Sequence, residues 1–160
     1  MTDKDRQFRD ALGCFATGVT VVTTRRADGS PVGITANSFS SVSLDPPLVL
    51  WCIDKSSDRY ADFEASDHFA INVLSAEDMV VSQEMARAGA NSLEEHAHVS
   101  GEAAGMPLIE TALATFECAV EHRHAGGDHV ILVGRVLGHT ATTQGDPLLY
   151  FRGKYAAIEG

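Results

Sequence analysis

One segment of this chain, residues 33–48, packs hydroxyl and amide side chains among apolar residues at unusual density. It reads Gly-Ile-Thr-Ala-Asn-Ser-Phe-Ser-Ser-Val-Ser-Leu-Asp-Pro-Pro-Leu, and the Asp-Pro-Pro run predicts a corner between two strands. Successive side chains of a strand point to opposite faces, so Thr35 and Asn37 share one face and Ala36 and Ser38 the other. The backbone must break near Asn37 and Ser38 for both groups to face one ligand.

Such a segment suits a groove that hydrogen-bonds a flat ligand carrying several heteroatoms. Thr, Asn and Ser side chains, together with backbone N–H groups, supply donors and acceptors for the polar edge of the ligand. The apolar neighbours can pack against its remaining surface. The alternative is a surface strand whose serines are solvated, and polarity alone does not separate the two interpretations.

Composition favours one globular domain over residues 1–160, with 44% hydrophobic and 21% charged residues. The formal net charge of −10 argues against nucleic acid as the main partner, because phosphate neutralisation requires clustered Lys and Arg. No apolar run approaches the roughly 20 residues that span a bilayer. The charged start, Met1 to Arg6, lacks the apolar core of a signal peptide. We therefore expect a cytoplasmic protein with no membrane partner.

Cysteine and histidine spacing predicts no metal site. The three cysteines, Cys14, Cys52 and Cys118, lie among apolar neighbours and are interpreted as small core residues in a reducing compartment. Two His-x-His pairs, at residues 96–98 and 122–124, would each share one face of a strand. Neither pair has a third ligand nearby in sequence.

The pattern of apolar residues predicts about seven to nine strands and two or three short helices. Residues 5–15 have helical spacing, Ser56-Ser57-Asp58 can cap a second helix, and Ser75-Ala76-Glu77-Asp78 resembles a capping box that opens a third. Residues 88–107 are expected to be irregular, with some helix near 92–96. Strands are predicted at residues 18–24, 31–36, 39–43, 48–53, 69–74, 112–124, 129–139 and 147–155.

Several of these strands are in hairpin relation, with turns at residues 27–30 and 125–128, and strands and helices do not alternate regularly. The expected fold class is therefore mainly β (α+β), an antiparallel barrel with the helices outside it. Six large apolar residues are expected to fill the core: Phe8, Phe15, Phe63, Phe69, Met79 and Met85.

Two short constellations could bind a ligand. Residues 52–57 are predicted to end a strand and open a helix, whose free N–H groups and positive dipole end suit a phosphate. Lys55 and Arg59 would add charge there, with Arg152 and Lys154 as further candidate cations. The simpler alternative is that Ser57 only caps the helix.

The second constellation is Gly127-Asp128-His129 at a hairpin mouth. A histidine there is exposed enough to meet a substrate, and its flat ring can pack on a flat ligand. The alternative is an ordinary turn with a surface imidazole.

Taken in order, these blocks resemble the short-chain flavin reductase family, the reductase components of two-component flavin monooxygenases. The resemblance covers about residues 8–155, and the Thr-Ala-Asn-Ser-Phe to Pro-Pro-Leu block and the Gly-Asp-His turn are jointly specific. The matching blocks are Phe8 to Thr23, Gly33 to Leu48, Phe69 to Leu74, Gly127-Asp128-His129 with Gly134 and Val136, and Pro147 to Gly153.

The resemblance implies an antiparallel split β-barrel with Greek-key character, FMN or FAD as the flavin, and NADH or NADPH as co-substrate. His129 would position the nicotinamide without being an obligatory acid or base. The flavin would be bound by thirteen residues: Thr35, Ala36, Asn37, Ser38, Ser41, Val42, Ser43 and Cys52 along the ring and ribityl chain, Asp54, Lys55, Ser56 and Ser57 towards its phosphate end, and Tyr155.

The implied reaction is hydride transfer from reduced nicotinamide to the flavin, which then diffuses to a partner monooxygenase. The resemblance also implies a homodimer with flavin sites near the subunit interface. A second hypothesis is a non-catalytic flavin-binding electron carrier on the same fold. His129 favours the reductase, because a carrier needs no group that faces a nicotinamide. A weaker third hypothesis, an oxidase of a vitamin-like phosphate, would require more Lys and Arg.

Overall fold

A computed structural model describes residues 1–89 and 92–159 of the chain. Three α-helices are present there, α1 Asp3–Leu12, α2 Tyr60–Ala65 and α3 Met79–Met85, and a 3-10 turn at Ala76–Asp78 precedes α3. The strands are β1 Thr17–Gly18, β2 Thr20–Arg25, β3 Pro31–Ala36, β4 Ser40–Leu44, β5 Pro47–Asp54, β6 His68–Val73, β7 His98–Ser100, β8 Pro107–Ile109, β9 Ala114–Gly126, β10 His129–Ala141, β11 Leu149–Phe151 and β12 Lys154–Ala156.

Every pair of neighbouring strands among these elements is antiparallel. The main sheet has seven strands in the order β3-β2-β6-β9-β10-β5-β4. Two small sheets, β1-β11-β12 and β7-β8, lie beside it. The prediction of a mainly β, antiparallel fold with a few short helices is confirmed. The twelve described strands exceed the expected number because β1, β7 and β8 are too short to give a period of two.

Strand β5 shows how the sequence divides the sheet into two faces. Val49, Trp51 and Ile53 are buried, whereas the alternate residues Leu48 and Cys52 are only partly covered. Trp51 packs edge-on against the rings of Phe63, 5.0 Å away, and Phe69, 5.9 Å away. This alternation follows from the two-residue period of a strand, and it places the core on one side of β5.

Three of the six residues that were expected to fill the core are exposed. Phe63, Phe69 and Met85 are buried, as predicted, but Met79 is 42% exposed. Phe8 and Phe15 are also exposed, at 66% and 80%, and α1 buries none of its residues. The helical spacing does form a helix, α1, but the apolar face of α1 meets no core in one copy of the chain.

The three cysteines differ in their burial. Cys118 is buried, Cys52 is half-buried and Cys14 is exposed, which corrects the expectation of three core residues. All three are free thiols. Burial raises the pKa of the Cys118 thiol to about 12, so that this residue behaves as a small apolar side chain.

The segment after α3 is tied down by one buried carboxylate. Glu117 of β9 accepts hydrogen bonds from the backbone N–H groups of Ala103, Ala104 and Met106, at 3.0, 2.8 and 3.3 Å. The capping box predicted at Ser75 is confirmed, because Asp78 and Ser75 each bond the other's backbone N–H. The helix expected near 92–96 is wrong, because these residues form a bridge at Ser92 and a turn.

Within residues 1–89 and 92–159, no helix combines the length and the apolar character that crossing a bilayer requires.

Gly134 in β10 provides a test of this packing. A Cβ atom there would lie 2.5 Å from the ring of Phe69 and 2.8 Å from Cβ of Cys118. Because both neighbours are buried, we expect Gly134→Ala to lower the free energy of unfolding by about 1–3 kcal/mol in urea denaturation. Gly18→Ala is the matched control, since no atom lies within 4 Å of its Cβ position. Equal stability of the two variants would contradict the packing described for Gly134.

Candidate functional site

The polar segment after β3 is fixed to β5 by one side chain. The Ser38 hydroxyl accepts a hydrogen bond from the backbone N–H of Cys52 at 2.9 Å and donates to the Cys52 carbonyl oxygen at 3.2 Å. These two bonds satisfy backbone groups of β5 that face the break between β3 and β4. They bring Asn37 and Ser38 to Cys52, as the sequence hypothesis requires.

The Gly-Asp-His turn meets the far end of the same strand. His129 and Asp54 are directly paired in the β10–β5 ladder. The Lys55 backbone N–H donates to the Asp128 carbonyl at 2.9 Å, and the Lys55 ammonium donates to the Gly127 carbonyl at 2.8 Å. The two constellations that the sequence singled out, separated by about 70 residues, are therefore neighbours.

Residues on one face of β5 connect these two points. Cys52 and Asp54 alternate with the buried residues Trp51 and Ile53, so they lie on the outer face of the sheet. Directly opposed residues of neighbouring strands share a face, which places His129 on that outer face too. Cys52, Asp54 and His129 therefore share the outer face of the sheet, and Ser38 is bonded at the Cys52 end of this face.

The turn after β5 differs from the helix start that was predicted. The Asp54 carboxylate accepts hydrogen bonds from the Ser56 N–H at 2.8 Å and from the Ser56 hydroxyl at 2.7 Å. The Ser57 N–H donates to the Asp54 carbonyl, and α2 begins only at Tyr60, with no side chain capping it. The backbone donors at 55–57 are already engaged within the protein and do not form a free helix N-terminus.

Arg59 is not a ligand-binding cation in this structure. Its side chain is only 4% exposed, and its guanidinium donates to the carbonyl oxygens of Gly33 at 3.2 Å, Met85 at 2.5 Å and Arg87 at 2.8 Å. Two of these carbonyls lie at the end of α3, where a positive charge is favoured. Arg59 therefore joins α3 to β3, a role that depends on distant carbonyls and that local sequence could not reveal.

Two of the expected flavin-binding residues use their hydroxyls within the fold. The Thr35 hydroxyl donates to the Ser82 carbonyl at 2.6 Å. The Tyr155 hydroxyl lies 2.7 Å from the Ser82 hydroxyl, and the ring of Tyr155 packs edge-on against Tyr150. Both residues are half-buried, so they can still present apolar surface. Of the expected β4 residues, Ser41 and Val42 are exposed and Ser43 is half-buried.

A cavity of about 970 Å³ opens beside Asn37 and Ser38. Its size lies within the range of about 300–1,000 Å³ that is usual for small-molecule sites. The remaining lining comes from the end of α1, the following loop, Thr17 and the turn between β11 and β12: Arg9, Asp10, Leu12, Gly13, Cys14, Phe15, Thr17, Tyr150, Arg152 and Gly153.

Sequence reasoning missed most of this lining. Thr17 stands out because its hydroxyl oxygen is buried and has no hydrogen-bond partner among the described residues. A buried polar atom of this kind is unfavourable unless a partner or a ligand satisfies it. The Arg152 backbone N–H donates to the Gly13 carbonyl at 2.9 Å, which joins the β11–β12 turn to the end of α1. The sequence signal for Thr17 is the Phe-Ala-Thr-Gly block at residues 15–18, which the family resemblance includes without implying a role for any one of its residues.

The environment shifts the pKa values of two side chains on this face of β5, those of Cys52 and Asp54. Burial raises the pKa of the Cys52 thiol, partly offset by its contact with Ser38, so Cys52 is a thiol near neutral pH. The backbone and side-chain hydrogen bonds from Ser56 lower the pKa of Asp54, and burial opposes them. The positive charge that His129 can carry lowers the pKa of Asp54 further. Across the described ranges, no group of three or more metal-binding side chains occurs.

Removing the Ser56 hydroxyl tests the origin of the Asp54 shift. We expect Ser56→Ala to raise the pKa of Asp54 towards its ordinary value, as followed by carbon-detected NMR titration of the carboxyl. Because the folded-state pKa of Asp54 lies below the unfolded value, Asp54 stabilises the fold above its unfolded pKa, and this contribution disappears as the pH falls through the folded pKa. Ser56→Ala should therefore make the stabilising contribution of Asp54 smaller. What remains of this contribution should disappear at a higher pH than in wild type.

Ser30→Ala is the matched control, since Ser30 bonds Asp28 in the same way in a distant turn. It should raise the pKa of Asp28 and leave that of Asp54 unchanged. An Asp54 titration that is identical in wild type and Ser56→Ala would contradict the assignment.

Comparison with known proteins identifies the kind of protein to which this geometry belongs. An NADH-dependent FMN reductase of Agrobacterium fabrum is 48% identical over 153 residues, covering 96% of this chain and 86% of that protein. The reductase component of a flavin-dependent trigonelline monooxygenase of Acinetobacter baylyi is 44% identical over 96% of this chain. This chain spans only 49% of that second relative, about half its length.

A solved structure shares the fold as well as the sequence. The NADH:FAD oxidoreductase of Streptomyces globisporus, in complex with NAD and FAD fragments, superposes with a TM-score of 0.91 at 38% identity. The superposition covers 99% of this chain and 96% of that one. The family model described as "flavin reductase like domain" matches residues 12–159. The chain therefore belongs to the flavin reductase like domain family.

Proposed function

We propose that this protein is an NADH- or NADPH-dependent flavin reductase that supplies reduced FMN or FAD to a partner monooxygenase. The observation that carries the proposal is that Ser38 bonds to Cys52, which shares one face of β5 with Asp54 and the paired His129. Asn37 and Ser38 also line the cavity of about 970 Å³, whereas Cys52 and His129 are not among its lining residues. The Agrobacterium fabrum relative is an NADH-dependent FMN reductase, and the Streptomyces globisporus NADH:FAD oxidoreductase has the same fold. The unpartnered Thr17 hydroxyl and the polar lining at Asn37 and Ser38 fit a ligand with several hydrogen-bonding atoms.

When bound, the flavin accepts a hydride from the reduced nicotinamide. The task of the protein is to hold the two rings in contact and to exclude misaligned arrangements. Ser38 fixes the position of the polar segment through its two bonds to Cys52. The proposed ring-binding wall consists of Thr35, Ala36, Asn37, Ser38, Ser41, Val42, Ser43 and Cys52, with Tyr155 beside it.

The phosphate end of the flavin is proposed to lie at the turn after β5. Lys55 uses one donor of its ammonium group on Gly127, and an ammonium group has three. The remaining donors are available to a phosphate, together with the hydroxyl of Ser57, which accepts the Arg59 N–H and keeps its own hydrogen free. Ser56 would approach the phosphate with its hydroxyl hydrogen already donated to Asp54. Asp54 sits in the same turn and holds it in shape by accepting both bonds from Ser56.

His129 is proposed to position the nicotinamide. Its side chain is 41% exposed and lies on the outer face of the sheet. His129 precedes by two residues Ile131, the residue of β10 directly opposite Cys52. An imidazole there can stack on a ring or bond an amide without taking part in the hydride transfer itself. The same placement disfavours the second candidate, an electron carrier, because a carrier has no use for a group at this position.

The finer architecture is proposed as a single split β-barrel domain over residues 1–160 with Greek-key character. The two edge strands of the main sheet, β3 and β4, are consecutive in sequence, and Ser38 between them bonds to β5. This arrangement brings the two edges towards each other and supports closure of the sheet. The three free cysteines fit a reducing compartment, and the cytoplasm is the proposed location.

The protein is also proposed to act as a homodimer. Helix α1 buries none of its residues, although two of them, Phe8 and Leu12, are large and apolar. These two residues, and Phe15 just after the helix, are each at least 58% exposed. Leu44 at the end of β4 is 96% exposed. Apolar residues of this number are usually covered by a partner. A second copy is the occupant that the family resemblance favours.

The function is tested by following NADH and NADPH oxidation by the purified protein with no flavin, FMN, FAD or riboflavin. We expect turnover that depends on added flavin, and His129→Ala should raise the KM for the dinucleotide while the KM for flavin stays unchanged. His139→Ala, at the other end of β10 and also exposed, is the matched control. A protein that binds flavin without oxidising either dinucleotide would support the carrier, and one that does neither would exclude both.

The dimer is tested by sedimentation equilibrium of wild type and Phe8→Asp. We expect wild type to have twice the mass of one chain and Phe8→Asp to dissociate, because a buried carboxylate without a partner is strongly unfavourable. Val99→Asp, which alters a 48%-exposed valine of β7, should leave the mass unchanged. A monomeric wild type would overturn the proposal, and circular dichroism verifies that both variants are folded.

A further inference from the structure

We propose that Asp128 and Lys55 are positioning residues that fix both the tautomer and the place of His129. His129 Nδ1 lies 2.7 Å from Asp128 Oδ1. An ionised carboxylate can only accept hydrogen bonds, so Nδ1 must carry the hydrogen. The tautomer of an imidazole is set by the bond that one of its nitrogens makes. Nε2 is therefore the nitrogen that remains free for a ligand.

A carboxylate that is 88% exposed would by itself hold an imidazole only weakly. The backbone of the turn provides the rigidity that the side chain lacks. Lys55 holds it at two points, through its N–H to the Asp128 carbonyl and through its ammonium to the Gly127 carbonyl. Gly127 has a φ of +70°, which glycine adopts without the strain that other residues incur. The carboxylate therefore starts from a fixed backbone.

The two strands beside His129 present different residues to it. Gly126, directly opposite His129 on β9, has no side chain, and Asp54 is directly opposite on β5. Ile131 follows on the same face of β10, with His124 opposite it. The imidazole is thus flanked by two carboxylates, Asp128 bonded to Nδ1 and Asp54 across the ladder. The contact with Asp128 is the hydrogen bond that sets the tautomer of the ring.

The consequence for catalysis rests on the proposed function. With Nδ1–H held by Asp128, neutral His129 presents an Nε2 lone pair, which can accept a bond from the carboxamide N–H₂ of a nicotinamide. A ring with the other tautomer would present an N–H and would have to use the carboxamide oxygen. Asp128 thereby acts through His129 on dinucleotide binding and does not touch the transferred hydride.

The experiment compares Asp128→Ala, Asp128→Asn and Lys55→Met, with Asp146→Asn as the exposed-carboxylate control. Long-range proton–nitrogen NMR of the free protein, labelled in histidine, reports the tautomer of His129 directly. Kinetics use riboflavin as the acceptor, so that any contact between Lys55 and a flavin phosphate is silent. We expect the Nδ1–H tautomer in wild type and in Asp128→Asn, whose amide oxygen still accepts the bond, and its loss in Asp128→Ala.

The KM for NADH should rise about three- to tenfold in Asp128→Ala, as for loss of one hydrogen bond, with kcat unchanged. The KM for NADH of Asp128→Asn should be close to that of wild type. Lys55→Met should raise this KM by a smaller factor than Asp128→Ala does. An Nε2–H tautomer in wild type, or an Asp128→Ala variant with wild-type tautomer and KM, would overturn the inference. Failure of wild type to oxidise NADH would overturn the proposed function instead, because the tautomer is read in the free protein.

Discussion

The two-residue period of β5 is the constraint on which the rest of the structure depends. The same eight residues supply Val49, Trp51 and Ile53 to the core and Cys52 and Asp54 to the outer face. A shift of one residue in its pairing would exchange the two sets and move the polar residues into the core. Because the burial of Trp51 fixes the register, the core also fixes where the candidate site lies. Stability and function are thus specified by one strand.

Much of the fold could be predicted from the sequence because its signals are local. The Ser75–Asp78 capping box and the Gly-Gly-Asp turn between β9 and β10 depend on residues only a few positions apart, and both are present. The strand at 31–36 was predicted with its observed bounds. The proximity of the Gly-Asp-His turn to Lys55 was not local, and only the family resemblance implied that the two belong to one site.

The errors have a common physical origin. Apolar spacing shows which face of a helix is hydrophobic, but not what covers that face, so Phe8 and Phe15 were assigned to the core although they are exposed. Charge shows that a side chain can bind an anion, but not that backbone carbonyls have already engaged it, as at Arg59. Thr17 lies in a block that the family resemblance covers, but its role has no local signal, because the lack of a partner for its hydroxyl is a property of the folded chain.

Helix α1 has a consequence for how the site behaves on dilution. The end of this helix forms one wall of the cavity, yet the helix buries none of its own residues and meets the β11–β12 turn through the Gly13–Arg152 bond. The volume of the cavity is therefore set by whatever holds α1 in place. If a second copy does so, assembly and ligand affinity are linked thermodynamically, and each must strengthen the other by the same factor. The concentration of the protein itself would then regulate its affinity for its ligand.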